Sequence, residues 1–144
     1  MREDTSPASN PITVYLLDTN TCVRYLNGHS VNVRDRLRRT PAAQIVVCSV
    51  VKAELYAGAA KSTDPARTRA NQDRFLAPLV SLPFEDAAAD TYGRIRAALE
   101  RAGTPIGPYD LQIAAIALTH GCMLVTHNTR EFGRIPGLAL DDWE

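Results

Sequence analysis

Residues 12–18 read ITVYLLD, a short apolar run rich in β-formers, Ile12 to Leu17, that stops at a carboxylate, Asp18. Such a run, apolar without polar alternation, predicts a strand covered on both faces, as in a parallel sheet. From Thr19 the spacing turns helical through Val23 and Leu26 and closes at Asn27-Gly28. Strand, acid and helix therefore follow one another without a linker. Parallel strands need crossover connections, usually helical, so the rest of the chain should supply alternating helices and strands.

It does. Val31 to Arg39 predicts a strongly basic helix stopped by Thr40-Pro41, and Gln44 to Cys48 (QIVVC) a second buried strand. Ser49 is expected to cap a helix from Val50 to Ala60. Pro65 opens another helix, through Arg67 and Arg74 to Ala77, and Leu79 to Leu82 is a short strand. Glu85 to Ala102 predicts a long helix with acids at its start and Arg101 at its end, as the helix dipole favours. A loop, GTPIGP (103–108), leads to an apolar helix from Asp110 to His120, closed by Gly121. Met123 to Thr126 is a fourth strand, Thr129 to Arg134 a short helix, and Leu138 to Leu140 an edge strand. The alternation predicts an α/β fold, a three-layer α/β/α sandwich around a mostly parallel central sheet. Residues 1–11 read as a flexible N-terminal arm and 12–144 as a single domain.

Composition narrows the class. A chain of 144 residues, 45% hydrophobic, buries enough surface for a core without disulfide or structural metal. No apolar run approaches a membrane span and MREDTSPASN lacks a secretory signal, so the expected location is cytoplasmic, with no membrane partner. Cys22, Cys48 and Cys122, widely spaced among apolar neighbours, read as buried reduced thiols. The 16 basic and 16 acidic groups cancel, yet residues 24–101 hold thirteen of the basic ones against eight acids. Fourteen of the sixteen are Arg, the side chain suited to bidentate phosphate contacts; arginines on solvated helix faces would give the same count.

In parallel α/β sheets working groups gather at the carboxyl ends of the strands. That places Asp18 after the first strand and Asn128 after the fourth, with Asp110 opening the apolar helix and Glu54 inside the helix after the second strand. Each residue also has a structural reading. Asp18 fits an N-cap, Asp110 a first-turn acid, and Asn128 with Glu131 a capping box. Glu54 differs, because its apolar neighbours leave a carboxylate in need of a partner. Crowded carboxylates suit a hard divalent cation, and without one at least one of them should titrate high.

Four stretches are diagnostic in combination: LLDTN (16–20), SVVKAELYAGAAKS (49–62), YGRIRAALERAGTPIGPYDLQIAA (92–115) and LVTHNTREFGRIPGLALDDW (124–143). In this order they resemble the VapC-like PIN-domain ribonuclease toxins of bacterial toxin–antitoxin pairs, a likeness that runs from Val14 to Trp143. The resemblance implies an endoribonuclease dependent on Mg²⁺, with Mn²⁺ as an alternative, a homodimer, and a cognate VapB-like antitoxin. It implies Asp18 and Asp110 as metal ligands and Glu54 as a third acid, bound directly or through water. The fourth acidic position falls on Asn128, a departure that leaves a second metal ion open. Thr19 and Thr126 are candidates to orient ligands, water or substrate. Arg34, Arg36 and Arg38, with Arg24 and Arg39, are candidates to grip the RNA backbone. The substrate class implied is structured RNA, with initiator tRNA and its anticodon stem-loop among the targets of relatives.

Three other readings compete, of which a receiver-like signalling domain fails first, because it needs a lysine just after a late strand and both lysines, Lys52 and Lys61, lie before residue 62. Asp18-Thr19 after a buried strand resembles haloacid-dehalogenase phosphatases, but Asn20 stands where those need their second acid. The third is a catalytically weakened PIN-fold module that binds RNA or a partner, for which Asn128 is the support. Tyr25, Leu26, Val31, Leu37 and Tyr56 are expected to line an apolar groove beside the acids.

Overall fold

The computed structural model describes residues 12–144, so the arm expected over 1–11 lies outside the described residues. In chain order the elements are β1 (Tyr15–Leu17), α1 (Thr19–Asn27), α2 (Val31–Arg39), β2 (Ile45–Cys48), α3 (Ser49–Ala60), α4 (Pro65–Leu76), β3 (Val80–Leu82), α5 (Asp86–Arg101), α6 (Pro108–His120), β4 (Met123–Val125), α7 (Thr129–Phe132) and β5 (Leu140–Asp141). The strands form one sheet in the order β3-β2-β1-β4-β5. Every pairing is parallel, so the sheet is wholly and not mostly parallel.

That order fixes the layers. The chain steps outward from β1 to β2 and β3, then crosses back to β4 and β5. With right-handed crossovers, α1 to α4 cover one face and α5 to α7 the other. Contacts agree: α1 touches α2, α3 and α4, while α5 packs along α6. The reversal of direction lies between β1 and β4, the position where parallel α/β sheets open a crevice.

The core follows from the apolar runs. All four residues of β2 are buried, as are Leu16 and Leu17 of β1 and Leu124 and Val125 of β4. In α6, Leu111 and Ile113 through Ala117 are all buried, which is why this helix is apolar around most of its circumference. Truncating one such leucine to alanine costs about 2–5 kcal/mol through lost burial and the cavity left behind.

β1 begins at Tyr15 and not Ile12, α7 ends at Phe132 and not Arg134, and several other ends shift by one residue from the sequence reading; three differences have a clear local cause. Ser49 does not cap α3; Cys48 takes the cap position in extended backbone (φ −132°) without a side-chain cap bond, and Ser49 is the first helical residue. Pro108 belongs to α6 and not to the preceding loop, its missing N–H being one that a first-turn position does not need. β5 begins at Leu140, because Gly137 (φ 81°) turns the chain and the sheet is met only when Leu124 N–H reaches the Ala139 carbonyl at 2.9 Å.

Candidate active site at the carboxyl edge of the sheet

Asp18 leaves β1 and caps α1, its Oδ1 accepting the Thr21 amide at 2.8 Å. The Asp18 N–H donates to the Val125 carbonyl at 3.1 Å, and the buried Thr21 hydroxyl donates to the same carbonyl at 3.3 Å. The start of α1 is thus tied to the end of β4 across the crevice. Capping and a ligand role are compatible, since only one carboxylate oxygen of Asp18 is engaged in the cap. Asp18 is 6% exposed, so its charge sits at the floor of the crevice.

Glu54 comes from the second turn of α3, and Thr19 supplies the partner its apolar helix lacks: the Thr19 hydroxyl donates to Glu54 Oε1 at 2.5 Å. Asp110, in the first turn of α6, is half-buried. Its carboxyl is pushed up to about 6, first by burial and then by the negative charges of Glu54, Glu131 and Asp18. The expectation that a crowded carboxylate titrates high is met at Asp110.

Asn128 holds the cap position of α7, as its sequence suggests, but closes no capping box with the backbone. Its side chain makes no cap bond to the backbone; Nδ2 donates to Glu131 Oε2 at 3.1 Å, and its N–H donates to Thr126 Oγ1 at 3.0 Å. Thr126 is fully buried, so it touches no substrate and acts only by holding the Asn128 backbone. Glu131 was read only as a cap partner, yet its charge acts on Asp110 as a fourth acid. The three-residue spacing from Asn128 was the available signal, because i and i+3 share a helix face.

The arginines divide. Arg36 lies 4.9 Å from the Trp143 ring centre and 5.6 Å from that of Tyr15, and it pairs with Asp141 at 3.5 Å. Arg34 pairs with its neighbour Asp35 at 3.3 Å. Arg36, Arg38 and Arg39 line a cavity with Asp35, Trp143 and Glu144 that contains none of the four acids. The structure therefore does not bring Arg34, Arg36 or Arg38 to the crevice. Arg24 does line the cleft that reaches Asn128.

The apolar groove also divides. Val23, Leu26, Leu55 and Gln72 form a groove of about 360 Å³ between α1, α3 and α4, with Glu54 in its wall. Tyr25 instead stacks on Phe75, with ring centres 4.9 Å apart, and lines a separate pocket with Leu37. Tyr56 lies under Arg69, and Val31 is exposed. In the groove, Gln72 Nε2 donates to the Leu55 carbonyl at 2.8 Å, while its Oε1 is buried without a partner.

The chemistry of the edge follows. Among the described residues, none of Asp18, Glu54, Asp110 and Glu131 is paired with a cation. Nor does any trio of His, Cys, Asp or Glu close into a ready-made metal cage. An open, all-oxygen acidic set fits an ion such as Mg²⁺, which takes one or two carboxylates and completes its shell with water and phosphate. The cysteines offer no alternative: all three are free and buried, and burial pushes the Cys48 thiol up to about 11, leaving it protonated and inert. No helix among the described residues is long and apolar enough to cross a membrane.

Comparison with known proteins agrees with this geometry. The PIN domain family matches residues 15–138. The tRNA(fMet)-specific endonuclease VapC of Salmonella typhimurium is 40% identical over 129 residues, covering 90% of this chain and 97% of that protein. Ribonuclease VapC2 of Rickettsia felis is 37% identical over 132 residues, 91% of this chain and 98% of that one. Among solved structures, DNA-bound VapBC from Salmonella typhimurium superposes with a TM-score of 0.87 at 39% identity, over 92% of this chain and all of that one. VapBC2 of Rickettsia felis bound to a promoter DNA fragment gives a TM-score of 0.85 at 36% identity, over the same shares. A PIN match over most of the chain, together with relatives at this identity and coverage, establishes that this chain belongs to the PIN-domain family of VapC ribonucleases.

Proposed function

We propose that this protein is the toxin of a VapBC-type pair, a Mg²⁺-dependent endoribonuclease that hydrolyses phosphodiester bonds in structured RNA, initiator tRNA among them, and so halts translation. The observation that carries the reading is Asp110: a carboxyl pushed up to about 6, first by burial and then by three neighbouring acids, at the sheet's switch point, with none of these acids paired to a cation among the described residues. Names of relatives supply the substrate class, since one is a tRNA(fMet)-specific endonuclease.

When bound, the cation neutralises charge developing on the phosphodiester and acidifies an attacking water. Asp18, fixed by its cap, and Asp110, fixed in the first turn of α6, hold the ion. Glu54 orients or deprotonates the water, and the Thr19 hydroxyl sets its carboxylate. Asn128, bridged to Glu131, tethers the fourth acid beside Asp110. The partner is a VapB-like antitoxin, in keeping with VapBC assemblies among the structural neighbours. Its tail would find an acceptor in the wall of the groove between α1, α3 and α4, the Glu54 carboxylate, to which an arginine donates. A homodimer remains part of the reading.

The test is incubation of antitoxin-free protein with initiator tRNA in Mg²⁺ and then in chelator, beside Asp18→Asn and Asp110→Asn. Discrete cleavage by the parent alone, lost in chelator, is expected. Equal cleavage by both variants would remove the site assignment. An RNA-binding parent that cuts nothing would favour the weakened binding module that Asn128 suggests.

A further inference from the structure

One cleft at this edge is not explained by the acids. It lies between α1 and the loop joining β4 to α7, has a volume of about 470 Å³, and is lined by Asn20, Arg24, His29, His127, Asn128 and Glu144 among others. Its floor runs from Asn20, two residues after Asp18, to Asn128, so it opens directly beside the acidic crevice. Its basic groups are set in place by ordinary local structure. Arg24 stands in the last turn of α1, and Gly28, at φ 68°, turns the chain so that the His29 N–H bonds back to the Arg24 carbonyl at 3.1 Å. His127 follows the buried Thr126 at the end of β4 and is itself exposed.

Both anchored groups already hold carboxylates. Arg24 Nε lies 3.5 Å from Glu144 Oε1, and His127 Nδ1 lies 2.9 Å from Asp142 Oδ2. Glu144 is the more enclosed member of its pair, its side chain 17% exposed against 47% for Arg24. The Arg24–Glu144 contact is a single approach of Nε to one carboxylate oxygen, so the guanidinium keeps its terminal N–H groups to donate to a phosphate.

We propose that this cleft seats an RNA phosphate next to the one being cut, with Arg24 as its main donor and His127 and His29 beside it, and that Glu144 and Asp142 occupy these donors until the RNA displaces them. The proposal rests on the ribonuclease reading and extends it. Arg24, and not the arginines of α2, then becomes the residue that positions substrate. Position supports an RNA strand here, because a strand laid across the acids brings its flanking phosphates over this edge, where Arg24 is the fixed cation.

The pair Arg24–Glu144 gives a test with opposite signs. Binding of a labelled anticodon stem-loop of initiator tRNA is measured by anisotropy across a salt series, in the Asp110→Asn background to prevent cutting. Arg24→Gln should raise Kd about fivefold and flatten the dependence of log K on log salt by about the contribution of one phosphate contact. Glu144→Gln should lower Kd about twofold to threefold, because it frees the arginine. Arg24→Lys should keep most of the affinity, and His127→Gln should raise Kd about twofold. Overturning results are a Kd and salt slope unmoved by Arg24→Gln, or equal weakening by Arg24→Gln and Glu144→Gln, which marks a pair that only holds the 141–144 segment to α1. Cutting by the parent chain is scored separately. A parent that binds the stem-loop without cutting defeats the ribonuclease reading alone, and a parent that cuts while the two variants fail to diverge defeats only the present inference.

Discussion

The carboxyl edge of the sheet and the arginines of α2 are the two most highly charged regions of the molecule, and they are built in opposite ways. Around α2 two of the four arginines are met by acids of the chain: Arg34 pairs with Asp35, and Arg36 lies against Tyr15 and Trp143 and pairs with Asp141, whose Oδ2 also accepts the Trp143 indole N–H at 3.0 Å. At the sheet edge burial, and then the charges of Glu54, Glu131 and Asp18, raise the pKa of Asp110, and among the described residues none of the four is paired with a cation. Arg36, held between two rings and an acid of its own chain, serves the fold. Like charges held together without relief mark a place where something from outside is expected.

The largest effect should separate the regions outright. Asp18→Asn and Asp110→Asn each remove a proposed ligand, and cleavage of tRNA should fall by about 10³, the scale seen when a group stabilising transition-state charge is lost. Circular dichroism should show both variants folded. In α2 the order reverses: Arg36→Ala should cost about 1–2 kcal/mol of stability through lost ring and acid contacts, while the rate per folded molecule stays at the parent's level. Trp143, the single tryptophan, reports that unfolding by fluorescence.

A smaller effect has a distinctive sign. Asp110 binds its proton more tightly in the native state than in the unfolded chain, where its pKa is near 3.8, so its contribution to metal-free stability falls as pH rises from about 4 to 6 and stays unfavourable above. Asp110→Asn should therefore stabilise the metal-free protein by about 1 kcal/mol at pH 7, after discounting for its half-exposed position, and give no gain below pH 4. Thermal unfolding at the two pH values checks this. Smallest is Thr19→Val, which frees Glu54 from its hydroxyl partner. Its rate should drop about threefold with RNA binding retained, as expected for one hydrogen bond to a charged but part-exposed group.

The same contrast explains what was legible in the sequence. The strands β1, β2 and β4 stood out because parallel strands buried on both faces need unbroken apolar runs. Asp18 and Asp110 stood out because one follows a strand and the other opens a helix at the same edge, and Glu54 because its helical neighbours are apolar. β5 was displaced because a two-residue edge strand has no periodicity of its own; its start depends on the turn at Gly137. Glu131 was missed because a single sequence does not distinguish a cap partner from an acid turned toward Asp110. The arginines of α2 were the least legible. Their number suggested a phosphate grip, but only the position of Trp143 and Asp141, more than a hundred residues downstream, shows that Arg36 belongs to the fold.

The most direct test of the central claim, that the sheet edge holds an unrelieved cluster of acids awaiting a cation, is an NMR titration of the Asp110 side-chain carboxyl in the metal-free protein, repeated in Mg²⁺. The account predicts a midpoint of about 6 without metal and a marked fall when Mg²⁺ is added. An ordinary midpoint near 4, unmoved by Mg²⁺, would contradict it.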